Sequence, residues 1–280
     1  MTTNTQTYKI DTEDVEYNHH AQKPLLARLF KPKGTGPFPV VVELHGGAWV
    51  SGDRTNEDAS NEMLASRGVI VVALDFRVPP EAPYPASLSD IHYGIRWCKT
   101  HASEWNGLND RIGAMGTSSG AHQAMLLGMR PNDPRYSALS SPDNSTAVDG
   151  TLSYVILCSP VIDPLGRYHY VKGLRTDCTP PPGMAERVIP MHDQYWQSED
   201  AMDEGAPARI LRRGENTALP PTLLLARRSE DSHPTPDREE FIKQYRNAGG
   251  RVDVTIFDGT NEGLFGDLSS DVASQALDQM

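Results

Sequence analysis

Residues 111–129 read RIGAMGTSSGAHQAMLLGM, and this stretch decides how the rest of the chain is interpreted. RIGAMG (111–116) is a short apolar run that predicts a buried strand, and 119–129 predicts an apolar helix directly after it. The junction is Gly116-Thr117-Ser118-Ser119-Gly120. A strand-to-helix turn this tight holds its central residue in a strained conformation, and small residues two before and two after let the backbone pass. Ser118 Oγ would then project above the sheet, at the positive end of the following helix.

Outward from this junction, apolar runs alternate with helical stretches. PVVVELH (39–45), VIVVALD (69–75), YVILC (154–158), TLLLA (222–226) and VDVTIF (252–257) predict further strands. Most are near-continuous apolar runs, as expected of strands buried on both faces. Helices are expected at 57–66, 88–100, 236–248 and 268–277, the helix after the fifth predicted strand (222–226) opening on Pro236 and ending before Gly249-Gly250. The segment 8–32 predicts an antiparallel edge. The alternation implies an α/β fold with a mostly parallel central sheet flanked by helices, in a single domain over 1–280. Residues 163–220 interrupt it: they are rich in Pro, Gly and charge yet carry Tyr168, Tyr170, Tyr195 and Trp196. A loop this long holds structure of its own or serves function, and a small helical, lid-like insertion is expected, with a helix over about 184–197.

Composition narrows the function classes. The 280 residues carry 26 Lys+Arg and 37 Asp+Glu, 26 − 37 = −11 with His neutral, so a phosphate-tracking surface and nucleic acid as a partner are not expected. No apolar run approaches the ~20 residues of a membrane span. The N-terminus lacks the basic start and apolar stretch of a secretory signal, and the three cysteines (Cys98, Cys158, Cys178) have no metal spacing, so a reduced, cytoplasmic setting is expected. No phosphate-binding glycine loop or metal-ligand cluster occurs, and neither cofactor nor metal is expected.

A serine hydroxyl that attacks a carbonyl builds an oxyanion, so hydrogen-bond donors must wait where that charge appears. His45-Gly46-Gly47-Ala48-Trp49 follows the first buried strand and supplies them: the N–H groups of Gly46, Gly47 and Ala48, together with that of Ser119, form the candidate oxyanion hole. His45 is expected to orient this turn. Trp49, with Tyr195 and Trp196 from the insertion, is a candidate wall of the substrate pocket.

Together these motifs resemble the α/β-hydrolases of the hormone-sensitive-lipase/esterase and kynurenine-formamidase-like group. HGGAW (45–49) matches that group's oxyanion motif, DFRVPPEAPYPA (75–86) the segment after its next strand, and DRIG (110–113) with GTSSG (116–120) its nucleophile strand and turn. The resemblance extends from about residue 26 through the C-terminal half. It implies the α/β-hydrolase fold and a triad of Ser, acid and His in that chain order. The acid falls at Asp231, in the loop after TLLLA, with Glu230 the neighbouring candidate; Arg228 stands where the group commonly has glycine. Where the group has its histidine, after the last strand, this chain has Glu262.

The catalytic set implied by the resemblance is therefore Ser118, Asp231 and Glu262. A carboxylate titrates near about 4.3 against about 6.5 for imidazole, so Glu262 would be a base weaker by roughly two units. Beside Asp231 it would also resist double ionisation. His233 shares the Asp231 loop but is expected to point elsewhere, and His122 lies one turn into the helix after Ser118, expected to face a neighbour. The reading is a serine carboxylesterase acting on a small or medium ester or lactone, with activity impaired at position 262. Either Glu262 silences an otherwise ordinary enzyme, or it belongs to a native Ser–Glu–Asp site. An aryl-formamide or other amide is the alternative substrate, and a non-catalytic protein holding a small ligand is the alternative class. The edge strand 252–257 could pair across a two-fold axis in a homodimer.

Overall fold

The computed structural model describes residues 7–21, 23–140, 148–179, 182–259 and 263–280. Its centre is one eight-stranded sheet. The strands are β1 (Ile10–His20), β2 (Lys23–Pro32), β3 (Phe38–Leu44), β4 (Ile70–Leu74), β5 (Gly107–Thr117), β6 (Val155–Cys158), β7 (Thr222–Arg227) and β8 (Val252–Phe257), in the order β1-β2-β4-β3-β5-β6-β7-β8. β1 and β2 form an antiparallel hairpin that joins β4 antiparallel; every other pairing is parallel. This is the expected α/β-hydrolase architecture, with the predicted antiparallel edge in place.

The apolar runs are buried on both faces with a period of two. Val40, Val42 and Leu44 of β3 face one layer, together with Ile70, Val72 and Leu74 of β4, while Val41, Val71 and Ala73 face the other. The first layer is covered by α2 (Ala86–His101), α3 (Ser119–Met129) and α8 (Thr235–Asn247), the second by α1 (Asp58–Ser66) and α9 (Asp271–Gln279). Parallel strands need crossover connections, and α1, α2, α3 and α8 supply them on both sides.

The stretch 163–220 holds more structure than the single helix expected. It folds into α4 (Pro164–Asp177), α5 (Gly183–Trp196), α6 (Glu199–Glu204) and α7 (Pro207–Arg212). Asp163 caps α4 by accepting from the Gly166 N–H, with Pro164 at the first helical position. Gly166 and Gly173 had hidden this helix, since glycine lowers helix propensity by about 1 kcal/mol each. α4, α5 and α6 share a third cluster, built on Leu165, Val171, Val188, Tyr195, Trp196 and Met202 and closed by Trp49. Among the described residues, no helix is long and apolar enough to cross a membrane.

Candidate active site

Ser118 stands between the end of β5 and the start of α3 with φ 54 and ψ −111, a left-handed backbone that a non-glycine residue adopts only at a cost. Its flanking glycines are required by space. A Cβ on Gly116 would lie 2.4 Å from the Gly120 carbonyl carbon, and one on Gly120 would lie 2.0 Å from the Leu44 oxygen. The turn is fixed to β6: Ser118 N–H donates to the Cys158 carbonyl (2.9 Å), and Val161 N–H donates to the Ser118 carbonyl (3.2 Å). The hydroxyl itself stays half-exposed, while Ser119 behind it is buried at the helix N-terminus, where the first N–H groups have no intrahelical acceptor.

The diglycine turn adjoins this elbow. A Cβ on Gly46 would sit 3.7 Å from Ser118 Cβ. Gly47 has φ 105, and a side chain there would collide with the Ser51 carbonyl at 2.1 Å; Ala48 and Trp49 follow with φ 51 and 67. Successive left-handed residues turn the Gly47 and Ala48 N–H groups away from any ladder, and among the described residues neither donates a backbone hydrogen bond. His45 orients the turn as expected. Its ring stacks on Phe76 (centroids 4.1 Å, planes 4° apart), its Nδ1–H donates to the Gly46 carbonyl (2.8 Å), and burial lowers its pKa.

The partner of Ser118 is His233: Nε2 lies 3.1 Å from Ser118 Oγ. The expectation that His233 points elsewhere is therefore corrected, and the reason is local. Glu230-Asp231-Ser232-His233 forms a tight turn closed by the His233 N–H donating to the Glu230 carbonyl (3.2 Å). Residues one and four of such a turn flank the same side, and the central two form its tip. Glu230 and His233 are consequently turned inward, with side chains 5% and 14% exposed, whereas Asp231, expected as a buried acid, is exposed. Glu230 Oε1 accepts from Ser159 Oγ (2.5 Å) and from the Arg227 N–H (2.9 Å); Oε2 lies 3.7 Å from His233 Nδ1 and 3.5 Å from Arg238 Nη1. Burial, then the positive charges of Arg167 and Arg238, hold the His233 imidazole at a pKa of about 3. Glu262, expected in the base position, lies outside the described residues.

The aromatic residues expected at the pocket wall are packing residues. Trp49, Tyr195 and Trp196 are 1%, 0% and 2% exposed and buried against one another, Trp49 stacking on Tyr195 at 5.5 Å and meeting Trp196 edge-on at 5.5 Å. Trp49 Nε1–H donates to His122 Nδ1 (3.1 Å), and His122 Nε2–H donates to the Gly205 carbonyl (2.8 Å). His122 thus ties the oxyanion turn to the insertion, neutral and buried, with its pKa lowered to about 4 by burial. A small cavity of about 240 Å³ lies on the other flank of the elbow, lined by Glu57, Thr117, Cys158, Ser159, Leu264 and Phe265 among others.

The chain is similar in sequence and fold to known esterases. The BD-FAE family model matches residues 28–166. The chain is 26% identical over 217 residues to the esterase LipC of Mycobacterium tuberculosis, covering 77% of this chain and 50% of LipC. It is 24% identical to esterase LipQ of the same organism, over 96% of this chain and 61% of LipQ. The chain thus spans about half to three-fifths of the length of these curated relatives. The butyrate-bound structure of a thermophilic esterase from Thermogutta terrifontis superposes with a TM-score of 0.73 at 22% identity, over 96% of this chain and 91% of that one. At that identity the likeness establishes the shared fold.

Proposed function

We propose that this chain, an α/β-hydrolase fold, is a serine carboxylic-ester hydrolase in which Ser118 is the nucleophile, His233 the general base and Glu230 the residue that orients the imidazole. One observation carries the reading: a serine hydroxyl on a strained strand-to-helix elbow, 3.1 Å from an imidazole nitrogen and beside a diglycine turn. The esterase relatives support the reaction class.

In this reading Ser118 Oγ attacks the ester carbonyl carbon and its proton passes to His233 Nε2. The oxyanion is met by N–H groups of Gly46, Gly47, Ala48 and Ser119. Collapse expels the alcohol, which takes the proton back from Nε2, and a water activated by the same nitrogen releases the acid. His233 is a poor base, because burial and two guanidinium groups disfavour its imidazolium. Turnover is therefore slow, and esters are favoured over amides, whose nitrogen must be protonated before it can leave and so depends more than an alkoxide does on an imidazolium that this site disfavours. Asp231 sits at the turn tip, and neither Asp231 nor Glu262 has a step assigned to it.

The test is hydrolysis of a short-chain nitrophenyl ester together with labelling by a fluorophosphonate. Wild type is expected to turn over the ester and to be labelled, and Ser118→Ala to lose both. Equal hydrolysis by Ser118→Ala would overturn the reading in favour of a ligand-binding scaffold.

A further inference from the structure

Arg167, in the first turns of α4, is 4% exposed, and its Nε and Nη1 have no hydrogen-bond partner among the described residues. α4 begins immediately after the segment stitched to Ser118 by the Val161 hydrogen bond. The same turn abuts the start of α8, where a Cβ on Gly166 would lie 2.9 Å from Asp237 Oδ2, two residues beyond the helix start that follows His233. The start of α4 is thereby held between the nucleophile elbow and the His233 turn, and the Arg167 charge is near enough to depress both His233 and His192.

Among the described residues, no carboxylate pairs with Arg167. Burial and the like charge of Arg187 push its pKa down to about 10, which leaves it cationic at neutral pH. The nearby carboxylates are engaged elsewhere: Asp163 by Arg209 and the Gly166 N–H, Glu230 by Ser159 and the Arg227 N–H. A buried cation without a counter-ion costs several kcal/mol, and arginine cannot relieve that cost by losing its proton. A ligand that brings one negative charge would.

We propose that Arg167 recognises a carboxylate carried by the substrate away from the scissile bond, so that the preferred substrates are anionic esters: half-esters of dicarboxylic acids or esters of hydroxy acids. This rests on the hydrolase reading above and specifies its substrate class. The contact also acts on the chemistry. A carboxylate on Arg167 neutralises the first of the two charges that oppose protonation of His233, so the anionic ester strengthens the base that attacks it.

The test compares methyl hydrogen succinate and glutarate with methyl butyrate and valerate, where the charge is on the acyl side. Acetylglycolate against ethyl acetate puts it on the alcohol side. In wild type one of the two arms should favour the charged ester by at least about tenfold in kcat/KM, within the range of a charged hydrogen bond. The ratio should fall at least about tenfold in Arg167→Gln and return in part in Arg167→Lys. Calorimetric binding of succinate against butyrate, on wild type and Arg167→Gln, reads the same preference without turnover. No charged-ester preference in either arm, or a preference that survives Arg167→Gln, overturns the proposal. Arg167-dependent succinate binding in a protein whose ester hydrolysis does not depend on Ser118 would instead uphold the anion site and overturn the hydrolase reading.

Discussion

His233 Nδ1 and Glu230 Oε2 lie 3.7 Å apart, an ion-pair distance too long for a hydrogen bond, even though the residues are the fourth and first of one turn. Glu230 is held by other donors, Ser159 and the Arg227 N–H, and its second oxygen is shared with Arg238. The carboxylate thus anchors the turn first and orients the imidazole second.

Glu230→Gln should therefore lower kcat by at least about tenfold, through loss of the charge that favours the imidazolium. It should also destabilise the fold by about 1–3 kcal/mol, because an amide cannot accept from every donor at once. Steady-state kinetics and urea unfolding of the same variant check both. A kcat unchanged within twofold would remove Glu230 from the mechanism.

The pH dependence follows chiefly from three of the buried histidines. Burial first, with nearby arginines in two cases, holds His122 at about 4 and His192 and His233 at about 3. In the unfolded chain they titrate near ~6.5, so as pH falls below that value the unfolded state takes up protons that the folded state refuses. Their neutral burial thus costs no stability above pH ~6.5, and stability is lost toward pH ~4 by about 1.4 kcal/mol per pH unit for each histidine. Tm should drop steeply between pH 7 and 5. Over the range where the fold survives, kcat/KM should lack the usual histidine inflection, since the base is already unprotonated. An inflection near pH 6.5 would contradict the environment assigned to His233.

Trp49→Phe keeps most of the ring's burial but removes the donor to His122 Nδ1, leaving a buried acceptor unpaired. A loss of about 1–3 kcal/mol is expected. Trp49→Ala should cost about 3–5 kcal/mol by opening a cavity among Tyr195, Trp196 and His192. Chemical denaturation of the two variants separates the hydrogen bond from the packing. A Trp49→Phe variant as stable as wild type would mean that the hydrogen bond adds nothing, and equal losses in the two variants would mean that the packing adds nothing.

Much of this was legible in the amino-acid sequence. The strands announced themselves because both faces are buried, so PVVVELH and VIVVALD could not be amphipathic helices, and Ser118 announced itself through the glycines that its close contacts require. The identity of its partners was not legible. Motif order pointed to Asp231 and Glu262, whereas inward direction at Glu230 and His233 is set by a four-residue turn whose tip takes Asp231 and Ser232. The signal available was the Glu-x-x-His spacing with two turn-forming residues between. The aromatic trio misled for a different reason: Trp49, Tyr195 and Trp196 are large enough to line a pocket, and only three-dimensional packing reveals that they fill one another's surfaces.

The central claim is that the proton of Ser118 goes to His233. The most direct measurement is kcat/KM for one short-chain ester in His233→Ala and in Glu262→Gln, each checked for folding. His233→Ala should lose at least about 10³-fold, and its loss should exceed that of Glu262→Gln by about 100-fold or more. A Glu262→Gln variant as damaged as His233→Ala, or more so, would contradict the account and move the general base to position 262.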